Sequence, residues 1–350
     1  MKRILMNKTN RVNFATYGMV ILAFVVLQGM LSAGMLSSTI QGQLVPICAY
    51  VAMALSLNLT VGVLGELSLG HAGFMSVGAF AGAVSAAALP IASNGLRLAV
   101  SMLIGAVFAA LAGMLVGIPV LRLNGDYLAI VTLAFGQIIK SIVENLYIGM
   151  DVKGLHFSFL ENRITFADSG RMILNGPMGV NGITKISTFI AGFILIMVIL
   201  IVIFNLVGSR AGRAIMALRD NRIAAESVGI SVMKYKLMAF VISAAMAGAA
   251  GTLFALGQNT ITANKFDFNT SILILVFVVL GGQGNMWGSI LAAAFLTVLP
   301  ETKAMRGLAD YRMLVYAIVL ILVMLATNTP SVQDFLNSKF PKKKEAPAHE

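Results

Sequence analysis

"ISTFIAGFILIMVILIVIFNLV", residues 186–207, runs 22 residues without a charge. As a helix it would be roughly 33 Å long, enough to cross the hydrocarbon core of a bilayer. Apolar stretches of 18 or more residues recur along the whole 350-residue chain, which is 58% hydrophobic and 11% charged, with a mean hydropathy of +0.90. A soluble domain of this size carries about 25% charged residues. The sequence therefore predicts a polytopic membrane protein. The net charge of +11 needs no nucleic-acid partner, because basic residues gather in cytoplasmic loops. Cys48 is the one cysteine, so an intrachain disulfide is excluded and the redox compartment is left open.

Outward from 186–207, breaks at polar and Gly/Pro clusters give about ten spans: 14–33, 39–60, 67–89, 97–119, 127–148, 186–207, 236–257, 269–283, 288–300 and 312–328. The fold class is an all-α polytopic helix bundle. The apolar part of the N-terminal stretch is as long as a full span and no small-x-small cleavage site follows it, so it reads as a retained first helix rather than a signal peptide. "GGQGNMWGS" (281–289) divides two short spans and could instead be an unwound segment within the membrane. With the N-terminus inside, fifteen Lys and Arg fall on the cytoplasmic side and nine outside, which makes both termini cytoplasmic. The expected organisation is a cytoplasmic segment 1–13, one transmembrane domain 14–328, and a basic cytoplasmic tail 329–350. Within the domain, 149–185 forms an external (periplasmic) loop and 209–235 a cytoplasmic segment. Small residues every four positions, Gly105, Ala109, Gly113 and Gly117, then Ala247, Gly251 and Ala255, predict close helix packing. "AALAGMLVG" and "AMAGAAGTL" hint at an inverted repeat.

No nucleotide-binding GxxxxGK[ST] loop occurs, so the chain does not hydrolyse ATP itself. HExxH, paired cysteines and GxSxG are also absent, and His71, His156 and His349 are too scattered for a metal site. In "GELSLGHAGF" (65–74), Ser68 and His71 lie three residues apart, but on a helix Glu66 would be roughly 140° from His71. A hydrolytic triad is not supported, and no catalytic residue, metal or cofactor is assigned. Lys140 and Glu144, at i and i+4, either relay ions or pair with each other. Carboxylates are missing from the central turns of every span, which argues against ion coupling. Asn58, Ser68, His71 and Thr132 are polar groups in apolar spans that need internal partners. They either line a translocation path or hydrogen-bond neighbouring helices.

"SRAGRAIMALRDNRIAAESVGISVMKYK" (209–236) is too long and too patterned for a simple connector. Its centre is helix-forming, with Ala217, Ala224 and Ala225 small, Arg219, Asp220, Arg222 and Glu226 polar, and Gly229 suited to a C-terminal cap. Such a helix lies solvated on the surface or docks on a soluble partner.

Four blocks then carry a family resemblance: "GELSLGHAGFMSVGAFAG" (65–82), "LRLNGDYLAIVTLAFGQIIK" (121–140), "RAIMALRDNRIAAESVGISVMKYKLMAFVISAAMAGAAGTLFA" (213–255) and "VLGGQGNMWGSILAAAFLTVLPE" (279–301). In this order they resemble the LivM-type permease, a membrane subunit of branched-chain amino acid (Leu/Ile/Val) ABC importers. The resemblance implies a multi-pass protein of the bacterial inner membrane. Its implied partners are a second, LivH-like permease, two cytoplasmic ATPase subunits that hydrolyse ATP, a periplasmic substrate-binding protein and membrane lipid. It also implies that 219–229 is a coupling helix seated on an ATPase, with Arg219, Asp220, Asn221, Ala224, Ala225, Glu226 and Gly229 at the contact. The widespread importer form of this loop has Glu six residues before the glycine and a following Leu-Pro; here Ile223 holds that position and no Leu-Pro follows. The 149–185 loop is longer than the resemblance leads one to expect. Three alternatives stay open: the same machine with another cargo (urea, short amides, a sugar), an ion-coupled transporter or channel, and a membrane-embedded enzyme.

Overall fold

The computed structural model describes residues 2–35, 37–123, 125–151, 154–160 and 170–299, together with Leu314, Ile318 and Ile321. Contacts group 1–301 into one unit and 302–350 into another. The expected tenth span, 312–328, and the tail, 329–350, lie outside the described residues apart from those three positions, as do 152–153 and 161–169 of the long loop.

Eleven α-helices are described: α1 (Lys2–Ser32), α2 (Ser38–Asn58), α3 (His71–Ala88), α4 (Asn94–Val120), α5 (Asp126–Glu144), α6 (Phe189–Gly208), α7 (Arg210–Asp220), α8 (Arg222–Ser227), α9 (Val232–Ala255), α10 (Phe268–Gly281) and α11 (Met286–Val298). Among the described residues, eight helical segments are long and apolar enough to cross a membrane, and α11 is a shorter apolar helix. The first nine spans read from the sequence each correspond to one helix. Their cause is simple: with no water in the bilayer core, a crossing segment must satisfy every backbone group within itself.

Among the described residues α2 is the most deeply buried span, and α3, α4 and α9 pack into a tight layer in which α4 keeps one face exposed. Antiparallel α4 and α9 meet through the small residues, Gly113 facing Ala244 and Ala109 facing Gly248. A Cβ at Gly248 would come 2.6 Å from the Gly105 carbonyl oxygen, so no larger residue fits without separating the helices. The small-residue pattern therefore serves packing inside this chain, and the two stretches that hint at a repeat are partners in one contact. α1 is peripheral; Phe24 stacks on Phe193 at 4.1 Å and Tyr17 meets Phe204 edge-on at 5.4 Å.

The long loop is built rather than open. Strands β1 (Leu146–Asp151), β2 (Gly154–Phe159), β3 (Arg171–Asn175), β4 (Val180–Asn181) and β5 (Thr260–Ile261) form an antiparallel sheet in the order β2-β1-β3-β4-β5. β5 follows α9, so the sheet ties the 146–181 segment to the chain between α9 and α10. α6, of 20 residues, leads from the sheet to α7, and α9, of 24, leads from α8 back to it. At 1.5 Å per residue the two ends of the bundle are about 30 Å apart.

Candidate functional site

Polar groups converge where the chain breaks between α2 and α3. After Asn58 the helix widens into a π-turn, Leu59–Leu64, and ends at Gly65, whose φ of +81° suits glycine. Residues 65–70 are not helical, and α3 begins only at His71. The third span is thus four residues shorter at its start than the sequence reading, and Ser68 precedes the helix rather than sharing a face with His71. π-turns of this kind are frequent at functional sites.

The four residues expected along a translocation path all sit around this break, each at most 2% exposed. Asn58 Nδ2 donates to Ser289 Oγ at 2.9 Å, and its Oδ1 accepts from the Gly284 amide at 2.8 Å. Thr132 Oγ1 accepts from the Leu69 amide at 3.1 Å and donates to the Ala129 carbonyl at 2.9 Å. His71 Nε2 lies 2.8 Å from Ser56 Oγ, whose hydroxyl donates to the Met53 carbonyl at 2.8 Å. A hydroxyl has one proton, so this arrangement makes Nε2–H the donor and leaves Nδ1 an acceptor. That Nδ1 and Ser68 Oγ are buried and have no partner. Asn58 therefore ties α2 to α11 and the turn before it, and Thr132 ties α5 to the break, whereas Ser68 and His71 keep one free polar atom each. Glu66 belongs to neither group: it pairs with Lys236 of α9, which is 4% exposed. A buried charge needs such a partner, and removing one member typically costs about 3–5 kcal/mol.

The segment at the other end of α6 reaches this break through one side chain. Arg219, in the last turn of α7, donates from Nη1 to the Gly62 carbonyl at 2.5 Å, and Nη1 passes 3.7 Å from where a Cβ of Gly284 would stand. It thus touches the π-turn and the α10–α11 turn together. Two helices replace the single helix expected over 219–229. Asn221 is extended and interrupts them, and its side chain caps α8 by accepting from the Ala224 amide at 3.0 Å. Gly229, at φ +84°, closes α8 with its amide on the Glu226 carbonyl and the Ile230 amide on that of Ala225, as a C-terminal cap requires. Ala225 is buried, and Glu226 pairs with Arg222 at 3.2 Å. Asp220 and Ala224 are exposed. The apolar residues Ile223 and Val228 are 79% and 75% exposed. Lys140 and Glu144 pair at 3.8 Å.

Residues 39–324 match the family described as the branched-chain amino acid transport system, permease component. The chain belongs to this permease family. The permease is 38% identical over 286 residues to the high-affinity branched-chain amino acid transport system permease protein LivM of Escherichia coli K12, a match covering 79% of this chain and 66% of that protein. It thus spans slightly less than two thirds of that relative's length. It is 27% identical to the ribose import permease protein RbsC of E. coli K12, covering 79% of this chain and 81% of that one, and 25% identical to the fructose import permease protein FruG of Bifidobacterium longum, covering 71% and 72%. No solved structure matches it.

Several residues of the permease that matter to this geometry escape a reading of the sequence. Ser56, Ser243, Ser271 and Ser289 look like ordinary small residues in apolar helices, yet Ser243 donates to the Ser56 carbonyl at 2.5 Å and Ser271 accepts from the Ala72 amide at 3.2 Å. The Lys236–Glu66 pair had a signal, a lysine at the start of an apolar span and a single glutamate in the glycine-rich stretch 65–73. Ile223 and Val228 could have been found as apolar residues in an otherwise polar segment.

Proposed function

We propose that this chain is one of two membrane-spanning subunits of an ATP-driven importer for branched-chain amino acids in the bacterial inner membrane. The LivM identity supports the cargo. The second permease is LivH-like, two cytoplasmic ATPase subunits hydrolyse the ATP, and a periplasmic binding protein delivers the substrate. The basic α7–α8 end faces the cytoplasm and the sheet end faces outward, with 14–328 as one membrane domain and 329–350 as a cytoplasmic tail. Ile223 of α8 and Val228 just after it, flanked by Asp220, Asn221, Ala224, Glu226 and Gly229, seat on an ATPase, because large exposed apolar side chains in a polar segment suit a covering partner.

The observation that carries this reading is Arg219, which links the α7–α8 segment to both turns at the break. ATPase movement of α7 pulls Gly62 and Gly284 together with it, and the break between α2 and α3 opens and closes around Ser68 and His71. In proteoliposomes holding the full complex, Arg219→Ala retains ATP hydrolysis while leucine uptake falls about tenfold or more, a coupling loss of about 1.4 kcal/mol. Uptake that stays tied to hydrolysis in this variant overturns the link. Ser209→Cys is labelled only from the cytoplasmic side; labelling from outside reverses the orientation. RbsC and FruG favour one second reading, the same machine carrying a sugar, which competition of labelled leucine uptake by ribose or fructose tests directly.

A further inference from the structure

A cavity of about 90 Å³ lies at the sheet end, between the last turn of α3, the start of α4 and strands β3 and β4. By the same measure one water needs roughly 10–15 Å³, so the cavity has room for a small organic headgroup. Its lining mixes aliphatic side chains, among them Ala83, Val180, Ile183 and Leu256, with the polar Asn181 and Thr184. Two guanidinium groups also line it. Arg97 Nε donates to the Ala86 carbonyl at 2.5 Å, and Arg171 Nη2 donates to the Ala87 carbonyl at 3.0 Å.

Those bonds explain part of each arginine's presence: they satisfy the carbonyl end of α3, where cations are favoured. They use one donor of each guanidinium, and a guanidinium has five. Among the described residues neither arginine pairs with a carboxylate. Arg97 is half-buried and Arg171 exposed; two guanidinium groups without a carboxylate partner among the described residues, with aliphatic side chains beside them, suit an anionic group such as the carboxylate on a short branched hydrocarbon. Guanidinium groups match carboxylate geometry better than any other side chain.

We propose that the cavity between Arg97 and Arg171 binds the carboxylate of a small aliphatic amino acid, as an outer subsite that cargo occupies before it reaches the break between α2 and α3. This rests on the cargo and orientation given under the proposed function. The same carboxylate chemistry is available on an acidic side chain of the binding protein, so the test separates the two sources.

The test is modification of arginines by phenylglyoxal in the full complex in proteoliposomes, read residue by residue by mass spectrometry, with Arg210 and Arg213 as internal controls. Millimolar L-leucine slows modification of Arg97 and Arg171 severalfold and leaves the controls unchanged, while L-leucinamide, which lacks the carboxylate, slows neither. In Arg171→Gln, the leucine concentration that half-protects Arg97 rises about tenfold, the loss expected for one charge-assisted contact. Equal protection by leucine and leucinamide, or none in the wild-type complex, overturns the proposal whether or not the variant folds. Protection by ligand-free binding protein alone, without any from leucine, assigns the carboxylate to that partner and overturns it too. Leucine import by the same vesicles is followed in parallel. Import without protection removes the subsite and leaves the importer standing. Without import the cargo reading fails, and protection by isovalerate, which keeps the carboxylate and the branched tail, then decides the site.

Discussion

The α3–α4–α9 layer and the break between α2 and α3 are held by different forces. In the layer, backbones come close: a Cβ at Gly248 has no space, and most of the contact is between small residues, with Thr252 adding one side-chain hydrogen bond to the Gly78 carbonyl at 2.8 Å. Around the break the contacts are side-chain hydrogen bonds and charges, from Asn58, Thr132, His71, Arg219 and the Lys236–Glu66 pair. Backbone packing of this kind has one good geometry. Hydrogen bonds to side chains can be exchanged for others at a modest net cost, about 0.5–1.5 kcal/mol each. The layer is suited to be the frame and the break to be the part that moves.

Four substitutions test that division, in falling order of their effect on stability. Lys236→Ala leaves the mostly covered Glu66 carboxylate without a partner and destabilises by up to about 3–5 kcal/mol, whereas Lys236→Met combined with Glu66→Met recovers most of the loss. Thermal unfolding of the purified protein in detergent shows whether the double variant is the more stable. Gly248→Val forces α4 from α9 and costs about 1–3 kcal/mol or more by overpacking, with a matching drop in folded yield; a neutral result would show that the layer yields as readily as the break. Asn58→Ala removes contacts to Ser289 and Gly284 and costs about 1–3 kcal/mol. Its distinguishing mark is uptake lowered beyond what the loss of folded protein explains. Ser68→Ala deletes a hydroxyl that bonds to nothing and changes stability by less than about 0.5 kcal/mol. If Ser68 faces the cargo, leucine uptake kinetics still change.

Much of the frame was legible in the sequence and much of the break was not. Hydropathy finds helices because a bilayer forces each crossing to be apolar for its whole length, and the periodic glycines of α4 announce its packing. The same signal carries straight over Gly70, because Leu67 and Leu69 before it are apolar, so the sequence reading begins the third span at 67 rather than at His71. It starts the seventh at 236, after the polar Lys234; α9 begins at Val232, and Lys236 is tolerated inside because Glu66, far away in sequence, neutralises it. The sheet was hidden for another reason. Its strands are two to six residues long, too short for alternation to stand out, and β5 lies far from the others along the chain. As for Arg219, its charge is visible in the sequence, but that it points back to Gly62 rather than out to a partner depends on the helix ending at Asp220.

The distance along the chain between Glu66 and Lys236 also bears on how the protein is made. They are separated by 170 residues, and a ribosome adding about 5–20 residues per second needs roughly 10–30 s to cover them. Throughout that interval the nascent α2–α3 pair carries an unanswered carboxylate, and Asn58 waits longer still for Ser289. The turn that follows α2 therefore gains its full set of partners only after α9 and α11 have been made.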